Sequence, residues 1–125
     1  MTVLIDSWAW IEYWKGGKEA GRAAEYIEGP EEAIISSVNL AEVYYWVLKE
    51  YGRVAADEKS NSVLRRCYTI VPDVAIAINA AKLKGEYKLG LADSFVLATA
   101  RSANATLVTG DPDLRKFKDV AFLAG

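Results

Sequence analysis

Asp93 stands at the head of an apolar helical stripe. In Gly90-Leu91-Ala92-Asp93-Ser94-Phe95-Val96-Leu97-Ala98-Thr99-Ala100, the positions three, four and seven further on are Val96, Leu97 and Ala100. One helical face therefore holds a carboxylate followed only by apolar side chains. A buried charge without a partner is costly, and no Lys or Arg shares that face. The partner has to come from elsewhere in the fold, and a metal cation suits it best. Glu42 repeats the pattern in Asn39-Leu40-Ala41-Glu42-Val43-Tyr44-Tyr45-Trp46, with Tyr45 and Trp46 at the next-turn positions. Asp6 closes the apolar run Val3-Leu4-Ile5, and Asp111 follows Thr106-Leu107-Val108-Thr109-Gly110. Two acids thus end strands and two lie near helix starts. Glu12 differs: Lys15 stands three residues ahead, which reads as a solvated helix acid with a weak ion pair.

The chain contains no histidine, which removes imidazole bases, Ser-His-Asp and Cys-His catalysis, and zinc sites built on imidazole. Cys67 is the only cysteine, so there is neither an intrachain disulfide nor a cysteine metal site. Phosphate-binding glycine loops are absent. Carboxylate and water ligands favour hard octahedral cations, Mg²⁺ or Mn²⁺. Four acids brought together repel one another, and some would protonate unless cations neutralise them. A pair of such cations about 4 Å apart clamps both ends of an in-line phosphoryl displacement. Phosphodiester hydrolysis is the reaction class that fits an acid-only site.

The elements must deliver those acids to one place. Residues 2–5 read as a buried strand, and Ser7 can cap a helix over 8–15 that Gly16-Gly17 stops. A second helix covers 18–28, a second strand 32–36, and Ser37 or Asn39 caps a helix running to Tyr51. Residues 53–66 form another helix and 68–71 a third strand. Asp73 caps a helix to about Lys84, a loop spans Gly85 to Gly90, and the Asp93 helix covers 91–103. A fourth strand at 106–108, a turn at 111–113 and an edge strand at 120–123 complete the chain. Strands alternating with helices predict a three-layer α/β/α sandwich with a five-stranded parallel sheet. In such sheets the site lies at the carboxyl ends of the strands, where Asp6, Glu42, Asp93 and Asp111 would meet.

A chain of 125 residues reads as a single domain, 1–125, large enough for a real core. Neither a membrane span nor a signal peptide is apparent, so the expected compartment is the cytoplasm. The net charge is −2. With the four site acids set aside, 15 cations face 13 anions, a balance of +2. An acidic total is therefore compatible with an anionic substrate when metals occupy the site.

Four motifs, in order, carry a resemblance. Asp6 in Asp-Ser-Trp-Ala-Trp-Ile, Glu42 in Asn-Leu-Ala-Glu-Val, Asp93 in Leu-Ala-Asp-Ser-Phe-Val-Leu-Ala-Thr-Ala, and Asp111 in Leu-Val-Thr-Gly-Asp-Pro-Asp-Leu resemble the PIN-domain ribonucleases. The likeness is greatest to the VapC-type toxins of toxin–antitoxin pairs and spans essentially the whole chain. It implies Mg²⁺- or Mn²⁺-dependent endoribonuclease activity on an RNA substrate, a cognate antitoxin and a homodimer. It also implies that Asp6 and Asp93 are the principal metal ligands. Glu42 would be a ligand or the group orienting the attacking water, and Asp111 the fourth acid. Asp113 could take the place of Asp111, and Ser7 and Thr109 resemble the hydroxyls supporting the ligands. The alternatives are another metal-dependent phosphoester hydrolase or a catalytically silent binding module.

Trp10, Tyr13 and Trp14 share one helical face and Trp8 lies nearly opposite. One side is expected in the core, the other under a twin subunit or an antitoxin segment, with Tyr44, Tyr45 and Trp46 extending that surface. Arg65, Arg66, Lys82, Lys84, Lys88 and Arg101 are the candidate RNA contacts, those near the Gly85–Gly90 loop preferred.

Overall fold

Alternate residues of each central strand face opposite layers, and both faces are apolar. Val3 and Ile5 point with Ala33, Ile35 and Val108 into one core, while Leu4, Ile34 and Leu107 point into the other. That pattern requires cover on both sides. The computed structural model describes all residues, 1–125. Its strands are β1 (Thr2–Ile5), β2 (Glu32–Ser36), β3 (Tyr68–Ile70), β4 (Thr106–Thr109) and β5 (Val120–Phe122), paired in parallel in the order β3-β2-β1-β4-β5. The helices are α1 (Ser7–Lys15), α2 (Ala20–Ile27), α3 (Ser37–Tyr51), α4 (Arg53–Arg66), α5 (Val74–Tyr87) and α6 (Leu91–Ser102), with a 3₁₀ turn at Pro112–Leu114. Residues of α5 and α6, with Leu114 and Phe117, fill one core; residues of α1 to α4 fill the other. The result is the three-layer α/β/α sandwich. No helix is long and apolar enough to cross a membrane.

Several details differ from the sequence expectation. Asp6, not Ser7, caps α1, its carboxylate accepting the Ser7 N–H at 2.9 Å. Ser36, not Ser37 or Asn39, caps α3, its hydroxyl accepting the Val38 N–H at 3.1 Å while Asn39 Oδ1 accepts the Ser36 N–H at 3.3 Å. α5 continues through Gly85 to Tyr87, because Leu83 anchors its last turns in the core, so the loop shrinks to residues 88–90. Lys88 closes that helix in the left-handed region at φ 58°. Glu12 is buried rather than solvated: the α1–α2 turn folds over it and its carboxylate accepts the Glu19 N–H at 2.9 Å, with Lys15 at 3.7 Å.

Trp10 enters the core and packs at 5.5 Å on the half-buried Trp14. On the other side of α1, Trp8 lies across Gly110, where any Cβ would collide with its ring. The chain itself therefore covers much of Trp8, and α1 does not leave a whole side for a partner. Apart from Met1, Leu64, Tyr87 and Leu91, the large exposed apolar side chains come from two stretches of the chain. Tyr45, Leu48, Tyr51 and Val54 belong to α3 and α4; Tyr68, Val71, Val74 and Ile78 run from β3 into α5.

Candidate functional site

β1 and β4 are neighbours, yet the chain leaves β1 toward β2 on one side and β4 toward β5 on the other. Such a switch in direction opens a crevice at the carboxyl ends of the two strands. Asp6 follows β1 directly, and its N–H donates to the Val108 carbonyl at 3.0 Å. Thr109 ends β4 and Asp111 lies two residues beyond. Glu42 lies within the first two turns of α3, and Asp93 in the first turn of α6.

Asp6 is 5% exposed and held by its neighbours. Oδ1 accepts from the Ser7 N–H and from Asn39 Nδ2, both at 2.9 Å, and Oδ2 accepts from Thr109 Oγ1 at 2.6 Å. The Ser7 hydroxyl donates to Glu42 Oε1 at 2.9 Å, which ties Glu42 to the same centre. Thr109 Oγ1 also accepts the Asp111 N–H at 3.0 Å, and Asp111 Oδ1 accepts the Asp113 N–H at 3.0 Å. Asp93, Asp111 and Asp113 each bring a carboxylate oxygen within 4.8 Å of the other two. The choice between Asp111 and Asp113 that the sequence leaves open thus has a geometric answer: both approach Asp93. Asp6 and Glu42 stand outside that triplet and are linked to each other through Ser7.

The electrostatics show that these groups feel one another. Burial pushes the Asp6 carboxyl up to about 6; the Thr109 and Ser7 hydrogen bonds oppose the rise, and the charges of Glu42 and Asp111 add to it. Burial and then Asp111, Asp6 and Glu42 push Asp93 up to about 7. No basic side chain relieves them. The two ion pairs of the fold, Lys15–Glu12 and Arg101–Asp119, lie elsewhere. An all-oxygen set of mutually repelling carboxylates, none paired with a basic residue, fits a hard divalent cation. Asp93, Asp111 and Asp113 have the spacing to hold one, and Asp6 and Glu42 add charge beside them.

Sequence reasoning missed Asn39 as part of this centre. It is fully buried and its Nδ2 bonds Asp6; the sequence marked it only as a candidate cap. Most of the expected RNA-binding cations are committed to the fold. Arg66 donates to the carbonyls of Ile27, Tyr26 and Gly29 at 2.7, 2.9 and 3.1 Å, and Lys84 to that of Leu89 at 3.0 Å. Arg101 grips Asp119 with two bonds, and Arg65 donates to Ser62. Long side chains near helix ends find backbone carbonyls or neighbouring side chains within reach, which composition alone does not reveal. Lys82 and Lys88 remain without such bonds.

Comparison with known proteins places this geometry. No curated protein matches the chain in a sequence search. A toxin–antitoxin complex from Klebsiella pneumoniae contains a chain 28% identical to this one, with a TM-score of 0.79 and 95% of each chain covered. VapBC2 from Rickettsia felis, bound to a DNA fragment from its promoter, is 21% identical with a TM-score of 0.75, covering 98% of this chain and 97% of its own. VapC20 from Mycobacterium tuberculosis, a toxin that cleaves the sarcin–ricin loop, is 16% identical with a TM-score of 0.74, covering 94% and 98%. Residues 3–123 match the PIN domain, and the chain belongs to that family.

Proposed function

We propose that this chain is a Mg²⁺- or Mn²⁺-dependent endoribonuclease, the VapC-type toxin of a toxin–antitoxin pair. One observation carries the reading: acids from four separate elements crowd the β1–β4 crevice with no basic side chain to neutralise them, and burial, with the neighbouring acids adding to it, pushes the Asp6 and Asp93 carboxyls upward. The neighbouring toxin–antitoxin complexes support the partner, and the loop-cleaving toxin supports RNA as the substrate.

A bound divalent ion supplies a polarised phosphoryl oxygen and an activated water. The residues do the rest. Asp93, Asp111 and Asp113 have the spacing to hold the ion, and Asp6, the other principal ligand that the family resemblance implies, would complete the oxygen set from the end of β1. Glu42, with one oxygen held by Ser7, keeps Oε2 free to hold metal or orient water. Thr109 fixes Asp6 and the Asp111 backbone together. Of the six candidate RNA contacts, Lys82 and Lys88 are the two still free to meet phosphates. The exposed apolar residues of α3–α4 and of β3–α5 offer two separate surfaces, enough for an antitoxin and a second copy.

The deciding experiment is cleavage of RNA, DNA and a small phosphate ester with Mg²⁺ or Mn²⁺, using Asp6→Asn and Asp93→Asn as controls. RNA cleavage that vanishes in chelator and falls at least about 100-fold in both variants is expected. Turnover of the ester alone would identify a different phosphoester hydrolase. No metal-linked heat in calorimetry would leave a binding module.

A further inference from the structure

The geometry points to Asn39 as a positioning residue of the carboxylate centre: its amide nitrogen fixes Asp6 while its amide oxygen fixes the start of α3. This rests on the metal-dependent reading above and deepens it. The observation is a single buried side chain spent in two directions. Oδ1 accepts the Ser36 N–H at 3.3 Å and Nδ2 donates to Asp6 Oδ1 at 2.9 Å, and Asn39 has no exposure at all. Swapping the two amide ends would set an oxygen against the Asp6 carboxylate and an NH₂ against the Ser36 N–H, so the network itself fixes the orientation.

A helix cap explains only half of this. Closing α3 takes an acceptor three residues after Ser36, and Glu or Gln does that from the surface. An acidic residue here would cap equally well but would aim a lone pair, not a donor, at Asp6. That would add a sixth acid to the five already there, Asp6, Glu42, Asp93, Asp111 and Asp113, among which the neighbours already push Asp6 and Asp93 upward. A short amide accepts on one side and donates on the other, and at this position it satisfies both demands. Its place matters too. Asn39 joins the end of β1 to the first turn of α3, and Glu42 lies three residues further along that helix. Asp6 is thereby held from three sides: Ser7 from the next position along the backbone, Thr109 from β4 and Asn39 from α3. Without Asn39, Oδ1 loses its only long-range donor, and the carboxylate gains freedom to turn about the remaining contacts.

The test separates positioning from capping. Mn²⁺ binding is measured without substrate, by calorimetry and by electron paramagnetic resonance, on wild type, Asn39→Ala, Asn39→Ser and Ser36→Ala, with metal-free melting curves for each. Ser keeps a small polar residue in the first turn but is too short to reach Asp6, so it carries the same expectation should Asn39→Ala not fold. Ser36→Ala removes the cap hydroxyl and leaves the Asn39–Asp6 bond intact. The expected result is a 10- to 100-fold weaker Mn²⁺ dissociation constant for both Asn39 variants, the range for lost supports of metal ligands, and a change of no more than about twofold for Ser36→Ala despite its lower melting temperature. Saturating Mn²⁺ should restore much of the RNA cleavage of the Asn39 variants but not that of Asp93→Asn. Asn39 variants that bind Mn²⁺ as wild type does, with a stability loss like that of Ser36→Ala, would reduce Asn39 to a cap and leave the metal centre standing. Wild type that binds no Mn²⁺ would overturn both.

Discussion

Thr109 serves two masters with one hydroxyl: it donates to Asp6 Oδ2 and accepts the Asp111 N–H, fully buried. Thr109→Val keeps the shape and leaves both partners unpaired. The expected cost is about 1–3 kcal/mol of stability, with cleavage about 10- to 100-fold slower, read by chemical denaturation and RNA turnover. Equal stability and equal turnover would remove Thr109 from the centre. Asp6 makes a second prediction. Its carboxyl rises from 3.8 to about 6 on folding, so the folded chain holds the proton more tightly than the unfolded one. Ionising it in the metal-free protein therefore costs stability, beginning near pH 4 and complete above about pH 6, by about 3 kcal/mol at 1.36 kcal/mol per unit. Asp6→Asn lacks this penalty. In chelator, its stability relative to wild type should improve by up to that amount between about pH 4 and about pH 8; parallel pH curves would contradict the shift. At this scale the sequence was readable where charge offended pattern. Asp6, Glu42, Asp93 and Asp111 stood out because apolar runs surround them. Asn39 did not, because a buried amide at a helix start looks like an ordinary cap, and Glu12 misled because Lys15 sits at helical spacing while the turn that buries it is a tertiary feature.

Elements were legible through their periods. The strands carry continuous apolar runs and the helices end at glycines or at capped starts, so existence and type follow from local sequence. The order β3-β2-β1-β4-β5 does not, because nothing along a parallel strand states its neighbour. That order is what brings the Asp6 turn beside the Asp111 turn. Gly110 shows how tightly the second turn is packed. A side chain there would strike the Trp8 ring, so Gly110 is demanded by space rather than by backbone angle. Gly110→Ala should cost about 1–3 kcal/mol by overpacking and weaken Mn²⁺ binding by displacing Asp111. Adding Trp8→Leu, which shortens the obstructing side chain, should return part of both losses; a double variant no better than the sum of the two would mean that Gly110 answers to something other than Trp8.

At the scale of the whole molecule, the proposed cleavage of RNA meets an electrostatic problem. Its net charge is −2, and the crevice gathers Asp6, Glu42, Asp93, Asp111 and Asp113 with no basic partner. Arg66, Lys84 and Arg101 are bound into the fold, which thins the basic surface further. Phosphate should therefore be repelled from the metal-free centre and drawn to it once divalent ions reverse the local sign. RNA affinity is predicted to depend on metal before any bond is broken, and to depend only weakly on monovalent salt. Each neutralised phosphate contributes about 0.7 to the logarithmic salt slope for single strands, so contacts limited to Lys82 and Lys88 imply a slope near −1.4. Fluorescence anisotropy with an uncleavable RNA can measure both quantities, in chelator and in Mg²⁺, across a salt series. Tight binding in chelator with a steep slope would reveal a basic surface that dominates the crevice. Metal-dependent binding with a shallow slope would place recognition at the carboxylates themselves, and charge reversal of Lys88 to Glu should then lower affinity about equally for all RNA sequences.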